Sequence, residues 1–136
     1  MFYVGGNHDL TGGVLRGVWE ERYGPHYYHF VYKNVLFLVM DTEDNTAERM
    51  KEINAARDKA VAIYKDKGLE AFEKTEYANM PERKAGTISA DQSRYFVEAI
   101  RNNPDVRWTF ILVHKPAWER EGENHFLKIE EALSER

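Results

Sequence analysis

The chain has 136 residues, a formal net charge of −4 and no cysteine, and 43% of its residues are hydrophobic. This length suits one domain with a packed core, and no apolar stretch reaches the ~18 residues that a membrane span requires. The acidic balance argues against non-specific binding to nucleic acid, and without cysteine any metal ion must be held by oxygen and imidazole ligands.

The N-terminal region combines short apolar runs with glycine. Residues 2–4 are apolar and stop at Gly5 and Gly6, which predicts the end of a strand that enters a tight loop. These first residues lack the basic and apolar regions of a signal peptide. Residues 14–23 predict a short helix that is closed by Gly24.

The strongest strand signal covers residues 27–41. An aromatic run over residues 28–32 is followed by Lys33 and Asn34, and then by the apolar run 35–40. The two-residue break predicts a β-hairpin. The second run has no polar alternation, which is typical of a strand that is covered on both faces.

A helical signal extends from residue 46 to about residue 78. Apolar residues recur along this segment with a spacing near 3.6, and the remaining residues are mostly charged. These apolar residues are Ile53, Ala56, Ala60 and Ile63. Gly68 is expected to break or kink the helix. We interpret residues 46–82 as a helical insertion at the surface and residues 81–86 as a loop.

The C-terminal half adds two helix signals and one strand signal. Ser89 is suited to cap a helix that runs to Asn102. Residues 106–113 form a second apolar strand that is followed directly by His114, and residues 123–135 predict a final helix. Strand signals that alternate with helix signals, without an internal repeat or a linker, predict a single α/β domain.

The three residues that directly follow Gly6 carry side chains that are suited to metal binding or proton transfer. Asn7 offers a neutral oxygen ligand, His8 can donate a proton near neutral pH, and Asp9 can fix the tautomer of a neighbouring imidazole. The alternative is a Gly-Asn-Asp turn with an incidental histidine. A lone histidine at a strand end, as at His114, is more often structural, but ligands in α/β sheets lie beyond the carboxyl ends of strands. His114 therefore becomes a credible ligand when the other motif lies nearby.

Other polar residues offer weaker candidates. His26, His29 and His125 can join a metal site, but His29 lies in a predicted strand and is interpreted as a packing or surface residue. Residues 41–44 form an acidic cluster after a strand. We interpret this cluster as a solvated loop that leads to a helix N-terminus.

Taken together and in this order, these motifs resemble the calcineurin-like metallophosphoesterase family. That family has a strand that runs into Gly-Asn-His-Asp, here residues 6–9, then an aromatic segment like residues 23–30, and a buried strand that ends in Asp, here residues 35–41. A Gly-x-x-Ser-x-x-Gln helix start matches residues 86–92, and an apolar strand delivers a His followed by Pro, as in residues 114–116. The resemblance covers most of the chain apart from the helical insertion.

The resemblance implies a partial calcineurin-like sandwich, which is a two-sheet αββα core without its N- and C-terminal strands. Asn7 and His114 would bind one ion of a two-metal centre of Zn, Mn or Fe. His8 would contact or protonate the phosphoester, and Asp9 would orient His8. The implied reaction is the attack of a metal-activated hydroxide on a small phosphoester.

The sequence departs from the family at the remaining metal ligands. It contains no Asp-x-His or Gly-Asp-x-x-Asp before Gly6, and no Gly-His-x-His after His114. Two neutral ligands fall short of the three or four protein ligands that hold zinc. We therefore expect the chain to be a fragment, a truncated gene product or a degenerate relative, without phosphoesterase activity of its own.

Two alternatives stay open. The chain is either a non-catalytic binding or scaffold module with the same fold, or an unrelated α/β protein with a chance Gly-Asn-His-Asp motif. If strands 35–40 and 106–113 lack neighbours, they expose edges and apolar faces, which predicts a homodimer.

Overall fold

The structure is a computed structural model and describes residues 1–119 and 125–136. These residues form a mixed α/β structure with one three-stranded sheet and eight helices, which confirms the predicted class. The strands are β1 (Tyr28–Tyr32), β2 (Val35–Val39) and β3 (Trp108–Leu112). The helices are α1 (Asn7–Leu10), α2 (Gly13–Tyr23), α3 (Ala47–Lys67), α4 (Leu69–Glu73), α5 (Glu76–Asn79), α6 (Pro81–Lys84), α7 (Ala90–Arg101) and α8 (Phe126–Ser134).

β1 and β2 form the predicted hairpin. They pair in antiparallel fashion, with Tyr32 opposite Val35. Lys33 and Asn34 connect them with φ angles of 46° and 64°. Both residues therefore adopt the left-handed conformation that a two-residue type I′ turn requires.

β3 lies parallel to β2 at the other edge of the sheet. A parallel neighbour needs a crossover connection, and this crossover runs through α7. Ser89 caps α7 as predicted, because its Oγ accepts a hydrogen bond of 3.1 Å from the Gln92 N–H. Since β2 and β3 run in the same direction, Asp41 and His114 follow their strands at the same edge of the sheet.

One face of the sheet packs against α7 and α8. Leu36, Leu38 and Met40 are fully buried on this face. Their helical partners are Phe96, Ala99 and Ile100 of α7 and Phe126, Ile129 and Ala132 of α8. This cluster is the main core of the described residues, and it fixes the strand ends relative to the start of α7.

The opposite face carries a row of stacked aromatic rings. Phe2, Phe30, Phe37 and Phe110 follow one another with ring-centroid distances of 3.9, 4.8 and 5.7 Å. The prediction that β2 is covered on both faces is correct at Val39, which is fully buried, and wrong at Phe37, which is only half-buried. The rings cover one another along the sheet, so the apolar run does not require a second layer at Phe37.

Residues 2–4 were predicted as a strand end, and this prediction is wrong. They form no strand in the structure. The Tyr28 hydroxyl accepts a hydrogen bond from the Tyr3 N–H and donates one to the Tyr3 carbonyl, both at 2.9 Å. A side chain therefore replaces the neighbouring strand as the partner of this backbone.

The helical segment at residues 46–82 has the predicted start and break. The Thr46 hydroxyl caps α3, and Gly68, with a φ of 78°, ends it. Residues 81–84 were predicted as part of a loop but form α6. Pro81 occupies the first helical position, where its missing N–H leaves no hydrogen bond unmade.

The final helix, α8, begins at Phe126 and ends at Ser134. Its predicted start at residue 123 lies outside the described residues. None of the helices in the described ranges is both long and apolar enough to cross a membrane.

Candidate functional site

The Gly-Asn-His-Asp motif forms a tight corner that opens α1. The Gly6 carbonyl accepts hydrogen bonds from the N–H groups of Asp9 and Leu10, at 2.9 and 3.0 Å. The Asp9 carboxylate in turn accepts a 3.0 Å hydrogen bond from the Gly6 N–H. Asp9 therefore holds the turn closed, and within the described part of the chain no hydrogen bond joins its carboxylate to His8.

Asn7 and His114 are in direct contact although they lie 107 positions apart. His114 Nε2 is 2.9 Å from Asn7 Oδ1, so the ring N–H donates to the amide oxygen. Gly6 makes this approach possible, because a Cβ at this position would lie 3.2 Å from three atoms of the His114 ring. The fold thus brings together the two residues that the sequence suggested as ligands.

His8 lies next to Asn7 and faces solvent. Its side chain is exposed and has no hydrogen-bond partner among residues 1–119 and 125–136. His8, Asn7 and His114 line one cleft with a volume of about 430 Å³. Three of the four predicted site residues therefore share a cleft, and Asp9 supports the backbone behind them.

The donor set of this corner fits a metal ion only in part. Two ligands of one ion, each about 2.1 Å from it, stand roughly 3.0 Å apart at 90° and roughly 3.4 Å apart in a tetrahedron, so the 2.9 Å separation of Asn7 and His114 suits neighbouring octahedral positions better. However, the described residues contain no group of three or more His, Cys, Asp or Glu side chains that could hold a metal ion. The described residues therefore supply two candidate ligands at this corner, Asn7 and His114, and we assign no reaction step to a metal.

Three of the four residues in the acidic cluster 41–44 are buried, so the interpretation of the cluster as a solvated loop is wrong for them. Asp41, Thr42 and Glu43 expose 0%, 1% and 7% of their surface. Arg16 of α2 donates a 2.6 Å hydrogen bond from Nη1 to Asp41 Oδ2. Burial raises the pKa of Asp41, and the neighbouring Arg16 guanidinium opposes this rise. The negative charge of Asp41 is thus paired with Arg16, which lies in a distant part of the sequence.

Lys115 links the same cluster to the cleft. Its Nζ lies 2.5 Å from Glu43 Oε1 and donates a 2.8 Å hydrogen bond to the Glu82 carbonyl. Burial raises the pKa of Glu43, whereas the hydrogen bond and charge of Lys115 lower it. The ammonium group next to His114 is therefore held by protein partners.

Gln92 clamps the end of β2. Its Oε1 accepts a 3.0 Å hydrogen bond from the Asp41 N–H, and its Nε2 donates to the Asp41 carbonyl at 2.9 Å and to Asp44 Oδ2 at 2.8 Å. Gln92 is fully buried. The helix-start motif is therefore structural in this chain, because it fixes the strand end beside the corner.

Two arginines from the helical insertion and its margin also line the cleft. Arg57 lies on α3 and Arg83 on α6. The Arg83 guanidinium lies 5.3 and 5.2 Å from the ring centroids of Phe72 and Tyr77. Neither arginine was predicted from the sequence. The apolar period of α3 shows which side of the helix is buried, but not which distant loop the helix faces.

The other histidines do not line this cleft. His29 Nδ1 lies 2.7 Å from the Tyr95 hydroxyl, which confirms its interpretation as a packing residue. His26 lies 3.2 Å from Arg16 and 3.1 Å from Glu20. The His125 carbonyl accepts a 2.8 Å hydrogen bond from the Ser93 hydroxyl.

Comparison with known proteins finds no matching family model, curated protein or solved structure. The chemistry of the site is therefore argued from its own residues.

Proposed function

We propose that this chain carries part of a phosphoester-hydrolysing site of the metallophosphoesterase type, and that by itself it binds the phosphoester without cleaving it. The observation that carries the proposal is the 2.9 Å contact between Asn7 and His114. Both residues belong to the motifs on which the family resemblance depends. Their separation also suits adjacent positions around one ion.

The roles of the remaining site residues follow from their positions. His8 is exposed in the cleft, where it can contact a phosphoryl group or protonate a leaving oxygen. Asp9 acts on the turn through the Gly6 N–H, so it positions Asn7 and His8 through the backbone. Carboxylate ligands from outside the described set would be needed to complete a two-metal centre of Zn, Mn or Fe.

We propose a partial calcineurin-like sandwich as the finer architecture. A two-sheet core needs an apolar face for its second sheet, and the aromatic row on the open face is suited to that contact. Phe110 exposes 53% of its surface on this face.

A non-catalytic binding module with the same fold is the second candidate. The small number of candidate ligands favours this module, because a catalytic zinc centre needs three protein ligands and Asn7 and His114 supply two neutral ones. This candidate includes a scaffold role, and the two candidates differ in whether additional metal ligands restore turnover.

Paramagnetic broadening of amide NMR signals by Mn²⁺ tests the proposal. We expect the strongest broadening at Asn7, His8 and His114, and its loss in His114→Ala. Glu130→Gln, which removes an exposed carboxylate of α8, is the matched control and should leave the pattern unchanged. Broadening that is confined to surface carboxylates would reject a metal-ligating corner.

Hydrolysis of an aryl phosphate in the presence of Mn²⁺ or Zn²⁺ tests the second part of the proposal. The chain is expected to show no turnover above the metal-containing buffer. Turnover that disappears in His8→Ala would show instead that these residues suffice for catalysis.

A further inference from the structure

The geometry points to a phosphoryl-binding subsite on the helical insertion, in which Arg57 and Arg83 receive the phosphoryl group of a small organic phosphate monoester. The assignment of a phosphate monoester as substrate rests on the proposed function. The assignment of an anion-binding site depends only on the residues that line the cleft. The cleft of about 430 Å³ lies between the insertion and the corner that holds Asn7, His8 and His114. Its volume is in the range that small ligands occupy.

The charges of the cleft favour an anion. Arg57, Arg83 and Lys115 line it together with two histidines, and among residues 1–119 and 125–136 no Asp or Glu lines the same cleft. Glu43 and Glu82 line the smaller cavity next to it. Glu43 is paired with Lys115, and Glu82 is paired with Arg49 at 3.0 and 3.1 Å. Both carboxylates are thus neutralised by other cations.

Within residues 1–119 and 125–136, the two arginines differ from Lys115 in having no carboxylate partner. Arg57 is half-buried, and its side chain forms no hydrogen bond or ion pair with the rest of the described chain. Arg83 is exposed and contacts only aromatic rings through its guanidinium group in the described part of the chain. The Arg57 side chain lines the cleft without an anionic partner from the described residues, so it is available to a ligand. A ligand that brings negative charge would form a charge-assisted hydrogen bond with it.

The chemistry of the groups favours a phosphate monoester with an aromatic or similarly flat substituent. A guanidinium presents its N–H donors in a planar fork that matches two phosphate oxygens. Phe72 and Tyr77 line the same cleft beside Arg83 and offer ring surface to the organic part. His8 and His114 lie at its other margin, so a phosphoryl group in the cleft is near the proposed reactive corner.

Titration of the metal-free chain in the presence of EDTA tests the inference, with inorganic phosphate and phenyl phosphate as probes and amide NMR shifts as the readout. We expect saturable shifts at Arg57, Tyr77 and Arg83, with tighter binding of phenyl phosphate than of inorganic phosphate. Arg57→Gln should weaken binding about tenfold or more, since each charge-assisted contact is worth at least that factor. Arg57→Lys should recover part of the loss.

Arg22→Gln is the matched control, because it removes the same charge from an exposed position on α2. Equal weakening by Arg22→Gln and Arg57→Gln would indicate non-specific attraction and would overturn the inference. So would the absence of saturable binding, or shifts that occur away from the cleft. Because no metal is present, a failure here is distinct from a failure of Mn²⁺ to locate at Asn7 and His114.

Discussion

Arg16 and Asp41 form a buried ion pair, with 2.6 Å between Arg16 Nη1 and Asp41 Oδ2 and no exposed surface on the Asp41 side chain. Removing one partner of a buried pair leaves an uncompensated charge, which typically costs about 3–5 kcal/mol. We therefore expect Arg16→Met to lower the free energy of unfolding by about that amount at pH 7. Arg94→Met removes a cation from an exposed pair with Asp91 and should cost less than about 1 kcal/mol.

The pH dependence of this variant has a definite sign. The pKa of Asp41 is raised in the folded chain, so the folded state favours the protonated form, and the stability linked to this group falls as the pH rises through that pKa. Arg16→Met removes the groups that lower the pKa. Its stability deficit in urea unfolding should therefore be largest near pH 7 and shrink towards pH 4. A deficit that grows on acidification would contradict this assignment, and a partial rescue by adding Asp41→Asn would support it.

We expect the replacement of Gln92 to lower the free energy of unfolding more than is usual for a residue in the first turn of a helix. Gln92→Ala leaves the buried N–H and carbonyl of Asp41 without partners, which is expected to cost about 2–4 kcal/mol. Denaturant unfolding measures this loss, with Asp91→Ala on the exposed side of the same turn as the comparison. Similar losses in the two variants would mean that Gln92 acts only through helix capping.

Gly6→Ala should disturb the corner while leaving the fold intact. The added Cβ requires the His114 ring to move by a few tenths of an ångström, which alters its contact with Asn7. Since His114 is exposed, the cost in stability should be about 1 kcal/mol or less, but Mn²⁺ broadening at His114 should weaken. Gly17→Ala in α2 is the control, because a Cβ there meets no atom within 4 Å. Unchanged broadening in Gly6→Ala would argue against the role of the Asn7–His114 contact.

We propose that the aromatic face of the sheet is covered by a second copy of the chain. Phe2, Tyr32, Trp108 and Phe110 expose 64%, 60%, 59% and 53% of their surface. At 150–250 Å² for a whole aromatic side chain, these four residues offer roughly 400–500 Å² per copy. Two facing copies would bury about 1,000 Å² with the neighbouring residues included, which is the lower range of a specific interface.

Light scattering at micromolar concentration tests this dimer. Trp108→Lys should shift the mass to that of a monomer, whereas Leu69→Lys, at a 60% exposed position on α4, should not. A monomeric wild-type chain would reject the proposed dimer.

Local signals in the sequence predicted much of the fold. The hairpin depends on two adjacent residues, Lys33 and Asn34, and the start of α7 depends on Ser89, so neighbouring residues contain the required information. The burial of Asp41 does not have a local cause. It depends on Arg16, which lies 25 positions earlier, and acidic residues in a row are usually solvated.

The candidate site was likewise predicted only in part from local signals in the sequence. Asn7 and His114 were predicted from motifs and from the rule that strand ends meet at one edge of a parallel pair. Arg57 and Arg83 were missed because their charges resemble those of any solvated helix. Only the tertiary arrangement shows that they face the cleft.

We propose that a metal-ligating corner and a phosphoryl-binding subsite share one cleft. Phosphorus-31 relaxation of phenyl phosphate, measured with the chain and a small amount of Mn²⁺, tests this arrangement. Wild-type chain should raise the relaxation rate above that of Mn²⁺ in buffer, and both His114→Ala and Arg57→Gln should return it to the buffer value. An equal enhancement in the wild type and both variants would contradict this arrangement.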